Sequence, residues 1–340
     1  MFNNMFNGNG VRNILSLAVA GILASLLGSS IKMQNNTAQA QEQPKIVASH
    51  NVICDLVQTI AQVTIDLTCL IDAHQDPHTY RPTPSQLKVM AEAQLILFGG
   101  YELEPRLIKL MKTTKDSETP QVKMALYEQV VTKPIMVEPE QDENLEEESE
   151  AVKSKPELSA DPHVWHNIEN TVAMVELLKS LLLQINPLEA ELYLANSTAL
   201  TEKLWQLDAW IKEQIDTIPQ GQRVLVTTHD SLNYYVQAYN LEDYKTLQGL
   251  SSQTAPTASQ VRDLAAEIRQ TGVLTIFAES TKSDRVITNV ARAANAKLSQ
   301  SQLYVDGLGE VDNYSAMMSH NTCVIVNGLG GECKPFAAGN

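Results

Sequence analysis

The chain has 340 residues, with 25 basic and 40 acidic side chains, a formal net charge of −15 and 44 % hydrophobic residues. That length allows two domains with a core in each, and the hydrophobic content excludes a wholly disordered chain. The acidity argues against nucleic acid and anionic membrane surfaces as partners, because both recruit Lys and Arg.

The first 40 residues read as a secretory leader. Arg12 precedes an apolar run from Ile14 to Leu27, and a polar stretch then ends in Ala38-Gln39-Ala40. Charge, apolar stretch and A-x-A are the three parts of such a signal. The run is short for a membrane anchor, the competing reading. It contains no cysteine, so no lipid anchor is expected there. Cleavage removes Arg12 and Lys32 and no acid, which takes the mature chain from −15 to −17. Export allows thiols to oxidise. Among Cys54, Cys69, Cys323 and Cys333, spacing favours Cys54–Cys69 and Cys323–Cys333, each closing a short loop. Free buried thiols stay open as an alternative for the first pair.

Beyond the leader the pattern alternates. Lys45 to Ser49 reads as a buried strand, Val52 to Gln62 as a helix that Asn51 can cap, and Ile65 to Ile71 as a strand. Pro84 to Ala93 reads as a helix and Leu95 to Phe98 as a strand ended by Gly99-Gly100. Residues 138–161 break the rhythm with ten acids and two lysines, and read as a mobile insertion. Ile168 to Ile185 is helical and stops at Asn186-Pro187; Leu188 to Ile218 then predicts one long helix. Strands at Val224–Thr228 (core Val224–Val226), Leu274–Ala278 and Leu303–Val305 follow, with helices at Ser231–Tyr239, Ala258–Gln270, Asp284–Asn295 and Asn313–Val326. The expected class is α/β: two lobes, each with a mostly parallel sheet flanked by helices, joined by one long rigid helix. Residues 41–187 form the first lobe, 188–218 the connecting helix and 219–340 the second lobe.

Seven histidines are present, and one tripeptide that contains His occurs twice, as Asp76-Pro77-His78 and Asp161-Pro162-His163. Pro fixes a backbone dihedral just before each imidazole, and Asp can hold the turn by accepting a backbone N–H. His229, Glu279 and Asp306 each fall directly after a predicted strand. Ligands of open parallel sheets sit beyond the carboxyl ends of strands. His78, His163, His229 and Asp306 therefore form a candidate four-ligand site for a divalent transition metal. Glu279 and His166 are candidate supports. His74 is a weaker spare, and His50 and His320 read as ordinary surface or core positions. No H-E-x-x-H, G-x-S-x-G or phosphate-binding glycine loop occurs.

The stretches Asp76-Pro-His-Thr-Tyr-Arg-Pro-Thr-Pro-Ser85, Asp161-Pro-His-Val-Trp165, Thr228-His-Asp230, Phe277-Ala-Glu-Ser280 and Leu303-Tyr-Val-Asp-Gly-Leu308, in that order, resemble the ZnuA/TroA-like metal-binding proteins of ABC importers. The resemblance covers nearly all of the mature chain. It implies a periplasmic, non-catalytic protein that carries an ion between its lobes to a permease in the inner membrane; a monomer is expected. It puts His78 and His163 on the first lobe and His229 and Asp306 on the second. Manganese-type members of that family usually carry Glu where this chain has His229. Three imidazoles and one carboxylate suit Zn²⁺, so zinc is expected before manganese. Many zinc-type members have a His-rich loop where this chain has its acidic insertion. That insertion reads as a solvated insert or as an electrostatic antenna for cations. Two rivals stay in view: a secreted metallohydrolase with Glu279 as base, and a surface metal buffer without a transporter.

Overall fold

A computed structural model describes residues 42–113, 121–138, 158–251 and 255–337. The expected leader and residues 139–157 of the acidic insertion lie outside the described residues.

The first lobe starts with β1 (Lys45–Ala48), whose Ile, Val and Ala are all buried. It continues through α1 (Asn51–Ala61), β2 (Asp66–Cys69), α2 (Pro84–Glu92), β3 (Leu95–Phe98), α3 (Pro105–Thr113), β4 (Val122–Ala125) and α4 (Leu126–Val130). The sheet is wholly parallel in the order β2-β1-β3-β4, with Val47 opposite Thr68 on one side and Ile96 on the other. A short antiparallel pair, β5 (Met136–Val137) and β6 (Ser159–Ala160), closes the base of the acidic insertion. Directly after it, the Asp161 N–H donates to Ile135 O at 2.8 Å, so this ribbon sets where the second D-P-H begins.

Two long helices follow. α5 (Ile168–Ile185) is capped by the Asn167 side chain, which accepts the Glu169 N–H. After a 3₁₀ turn at Pro187–Glu189, α6 runs over Ala190–Ile215, 26 residues, or about 39 Å. Its buried face carries Tyr193, Leu200, Leu204, Leu207, Ile211 and Ile215. The helix expected over 188–218 is thus shorter at both ends; at its start Pro187 first imposes a tighter turn.

The second lobe contains β7 (Val224–His229), α7 (Asn233–Ala238), β8 (Asp243–Gln248), α8 (Ala258–Thr271), β9 (Thr275–Ile276), α9 (Asp284–Ala294), β10 (Lys297–Leu298) and α10 (Tyr314–Gly328). β7 pairs with β8 and β9 with β10, all parallel. The Phe277 N–H donates to Val226 O at 2.9 Å and joins the pairs, giving the order β8-β7-β9-β10. This repeats the order of the first sheet. The repeat extends to capping: α2 and α8 both open with a capping box, Thr83 with Gln86 and Thr257 with Gln260. The expected strand at Leu303–Val305 reduces to a single bridge between Leu303 and Glu279.

Asn51 does not cap α1 with its side chain. It lies inside the helix and reaches across instead, accepting the Leu308 N–H at 2.9 Å. Both expected disulfides are present, Cys54–Cys69 and Cys323–Cys333. One continuous core runs from β1 through α1, α5 and α6 to α10.

Candidate metal centre

The two D-P-H turns are built alike. Asp76 Oδ1 accepts the His78 N–H and Asp161 Oδ1 the His163 N–H, each at 2.9 Å. Pro77 and Pro162 fix the chain between acceptor and donor. The second oxygen of each aspartate reaches the other lobe: Asp76 Oδ2 lies 2.7 Å from Lys282 Nζ, and Asp161 Oδ2 accepts from Asn233 Nδ2 at 3.1 Å. His78 sits within a 3₁₀ turn and His163 immediately before one.

On the second lobe His229 is the last residue of β7, and Glu279 follows β9. They flank the point where the chain reverses its direction of winding across the sheet, where such sheets bind ligands. Asp306 follows the Leu303 bridge and is fully buried.

These positions converge. One donor atom from each of His78, His163, His229 and Asp306 lies within 4.8 Å of the others, and all four residues are buried. Asp306 Oδ1 is 3.2 Å from His229 Nε2, 3.5 Å from His163 Nε2 and 3.6 Å from His78 Nε2; His78 and His163 Nε2 are 3.2 Å apart. Ligands at Zn–N distance on a tetrahedron are separated by about 3.3 Å, and these four separations lie close to that value. His229 Nε2 and Asp306 Oδ1 have no hydrogen-bond partner although buried. Such orphaned polar atoms are costly without a ligand.

Carboxylates behind the rings set which nitrogen faces inward. His163 Nδ1 is 2.8 Å from Asp161 Oδ1, and His229 Nδ1 is 2.5 Å from Glu279 Oε2. Each Nδ1–H is committed to its carboxylate, which leaves Nε2 as the electron-pair donor. Glu279 Oε1 also accepts the Thr228 and His229 backbone N–H groups, both at 2.9 Å. Burial pulls the pKa of His78 down, more than Asp306 raises it. Burial acts the same way on His163 and His229, but there the carboxylates win: Asp161 and Asp306 raise the first, Glu279 and Asp306 the second. Burial would raise Asp306, yet Lys282 and His229 hold it well below the usual carboxylate range.

Four further residues belong to this environment. His166 Nε2 bonds Val305 O at 2.9 Å, so it supports the Asp306 segment from behind. His50, read from sequence as an ordinary position, is buried and bonds Asp306 O at 2.9 Å and Tyr127 OH at 2.8 Å. Its place two residues after β1 was the available signal. Lys282, which no motif marked, lies 2.7 Å from Asp306 Oδ2. His74 is exposed and outside the cluster, and His320 stacks on Tyr304 away from it. Trp165, fully buried, packs beside His50 and His163, its ring centroid 4.6 Å from that of the first and 5.4 Å from that of the second.

Residues 46–328 match the family described as zinc-uptake complex component A, periplasmic. A protein of Halalkalibacterium halodurans, named manganese-binding lipoprotein MntA, is 26 % identical over 92 % of this chain and 96 % of its own length. A protein of Streptococcus anginosus, named manganese ABC transporter substrate-binding lipoprotein PsaA, is 28 % identical over 93 % and 97 %. Both names say lipoprotein, at odds with an expected leader lacking an anchoring cysteine; the first cysteine of this sequence is Cys54. The solved structure of the periplasmic zinc-binding protein TroA from Treponema pallidum superimposes with a TM-score of 0.73, at 26 % identity, over 84 % of this chain and 99 % of TroA. Members of this family bind solute for a transporter, which is not an enzyme's role. The chain belongs to the zinc-uptake component A family, the periplasmic metal-binding components of ABC importers.

Proposed function

We propose that His78, His163, His229 and Asp306 hold one divalent transition-metal ion as transported cargo, zinc in preference to manganese. The single observation that carries this reading is the convergence of three Nε2 atoms and Asp306 Oδ1 within 4.8 Å. Three nitrogens and one oxygen form a borderline-soft donor set that suits Zn²⁺. Four protein ligands also leave little room for the bound water and substrate a hydrolase would need, which supports a carrier without catalysis. The carrier acts as a monomer and delivers its ion to an inner-membrane permease. Residues 1–40 are a cleaved export signal, and the mature chain divides into a first lobe (41–187), a connecting helix (188–218) and a second lobe (219–340).

A specific observation favours manganese as the second reading: two of the relatives carry that metal in their names. Elemental analysis of protein isolated from its native compartment separates the two. One equivalent of zinc is expected. Stoichiometric manganese would select the second reading, and protein without stoichiometric transition metal would defeat both. Because zinc binds more tightly than manganese at most sites, affinity alone does not decide the physiological cargo.

A further inference from the structure

We propose that Lys282, assisted by Thr281, holds Asp306 to a single metal-binding oxygen and thereby biases the site towards four-coordinate ions. The inference rests on the metal-site reading above and adds to it a residue that sets specificity without touching the ion.

The two oxygens of Asp306 live in different surroundings. Oδ1 makes no hydrogen bond and faces three imidazole nitrogens at 3.2 to 3.6 Å. Oδ2 points the other way. It accepts from Thr281 Oγ1 at 2.6 Å and lies 2.7 Å from Lys282 Nζ. Lys282 is only 7 % exposed and is anchored a second time, 2.7 Å from Asp76 Oδ2 on the opposite lobe. Asp76 is itself held, since its other oxygen takes the His78 N–H. The ammonium is therefore clamped between two carboxylates and cannot swing away cheaply.

An ion that chelated both oxygens of Asp306 would have to displace this ammonium and this hydroxyl from Oδ2. It would also approach a fixed positive charge at short range in a poorly screened interior. Asp306 is thus left as a one-oxygen ligand. Zn²⁺ is satisfied by four donors. Manganese prefers a larger, oxygen-rich shell and forfeits more when one oxygen is withheld. The positive charge of Lys282 lowers affinity for every cation, so the ratio between ions, rather than either affinity, reports denticity.

The test uses the full exported chain carrying Lys282→Met, with Thr281→Val as a second variant that keeps the charge. Competition titrations with Zn²⁺ and Mn²⁺ give the affinity ratio. Visible absorption of the Co²⁺-loaded protein reports coordination number, with intense bands for four ligands and weak ones for five or six. For Lys282→Met the ratio is expected to move about tenfold towards Mn²⁺, and the Co²⁺ bands to weaken. Thr281→Val should move both readouts the same way by less. If the parent chain and both variants bind the ions with one ratio and one Co²⁺ spectrum, the denticity proposal is overturned while the metal site stands. If the parent chain binds no ion, the site reading fails and this proposal with it.

Discussion

Glu279 and His229 stand 50 residues apart in the chain, yet Glu279 Oε2 lies 2.5 Å from His229 Nδ1. The other oxygen of Glu279 receives the backbone N–H groups of Thr228 and His229. One carboxylate thus fixes both a strand end and the orientation of the imidazole on it. Glu279→Gln keeps the shape and removes the charge that raises ring basicity. Zinc affinity is expected to fall by about 10- to 100-fold. Competition against a chelator of known affinity measures this, and an unchanged value would reduce Glu279 to a packing role.

Replacing the ring itself addresses metal choice. His229→Glu exchanges a nitrogen donor for a hard oxygen. The new carboxylate would lie against Glu279, so the double variant His229→Glu with Glu279→Gln avoids burying two like charges together. In the double variant the zinc-to-manganese affinity ratio should drop by roughly tenfold or more. Calorimetric titration with each ion gives that ratio, and an unaltered value would mean that ligand softness does not govern selection here.

Acid should weaken the metal-free fold through two histidines that are not proposed ligands. Burial holds His50 down to about 4 and His166 to about 3. In the unfolded chain both titrate near 6.5. Below that value the unfolded state takes up protons that the folded state refuses. Their contribution is therefore complete above pH 6.5 and is lost as pH falls towards about 4 for His50 and about 3 for His166. Each costs roughly 1.4 kcal/mol per pH unit within its window. Urea unfolding of metal-free protein at about pH 7 and about pH 5 reads the slope. His166→Gln should flatten it, and an equal slope in the variant would remove His166 from the account.

Gly307 follows Asp306 and lies against α1. A Cβ there would meet Asn51 Nδ2 at 2.7 Å and Ala73 O at 3.2 Å. Gly307→Ala should push the 306–308 segment off the first lobe and weaken the Asn51–Leu308 and His50–Asp306 contacts that position the carboxylate. A loss of about 1–3 kcal/mol in stability is expected, together with weaker metal binding. Thermal unfolding with and without zinc checks both effects; a variant with parent-like values in each would show that the segment adapts.

Much of this site could be read from local chemistry. Pro next to His, repeated behind an Asp, marks a stiff loop in any context, and both copies adopt the expected turn. His229 and Glu279 were found because they follow apolar strand cores. His50, Asn51 and Lys282 were not found, because their roles depend on partners more than 200 residues away, Asp306, Leu308 and Asp76. For Asn51 and Lys282 nothing in the local pattern announces such contacts, and His50 offers only its place shortly after β1. Short or half-exposed strands were missed for a related reason: β4, β8 and β10 carry polar residues that periodicity alone does not separate from loops. The strand order that the two lobes share, completed in the second by the Phe277–Val226 bond between two strand pairs, is likewise invisible until pairing is known.

The core that passes along α6 ties part of each lobe into one apolar mass, beside which each lobe keeps a smaller cluster of its own. Tyr193, Leu200, Leu204, Leu207 and Ile211 of that helix lie in the same apolar mass as Ile53 and Ile60 of the first lobe and Met317, Met318 and Ile325 of the second. A heating scan should therefore show a single melting event, with calorimetric and van't Hoff enthalpies in agreement. An ion bound at the proposed site should then raise the melting point of the entire fold rather than of one half. With α6 shared by both halves, unloading of the proposed cargo is expected to come from a partner's mechanical work or from rearrangement of the loops that carry the ligands, rather than from melting of one half.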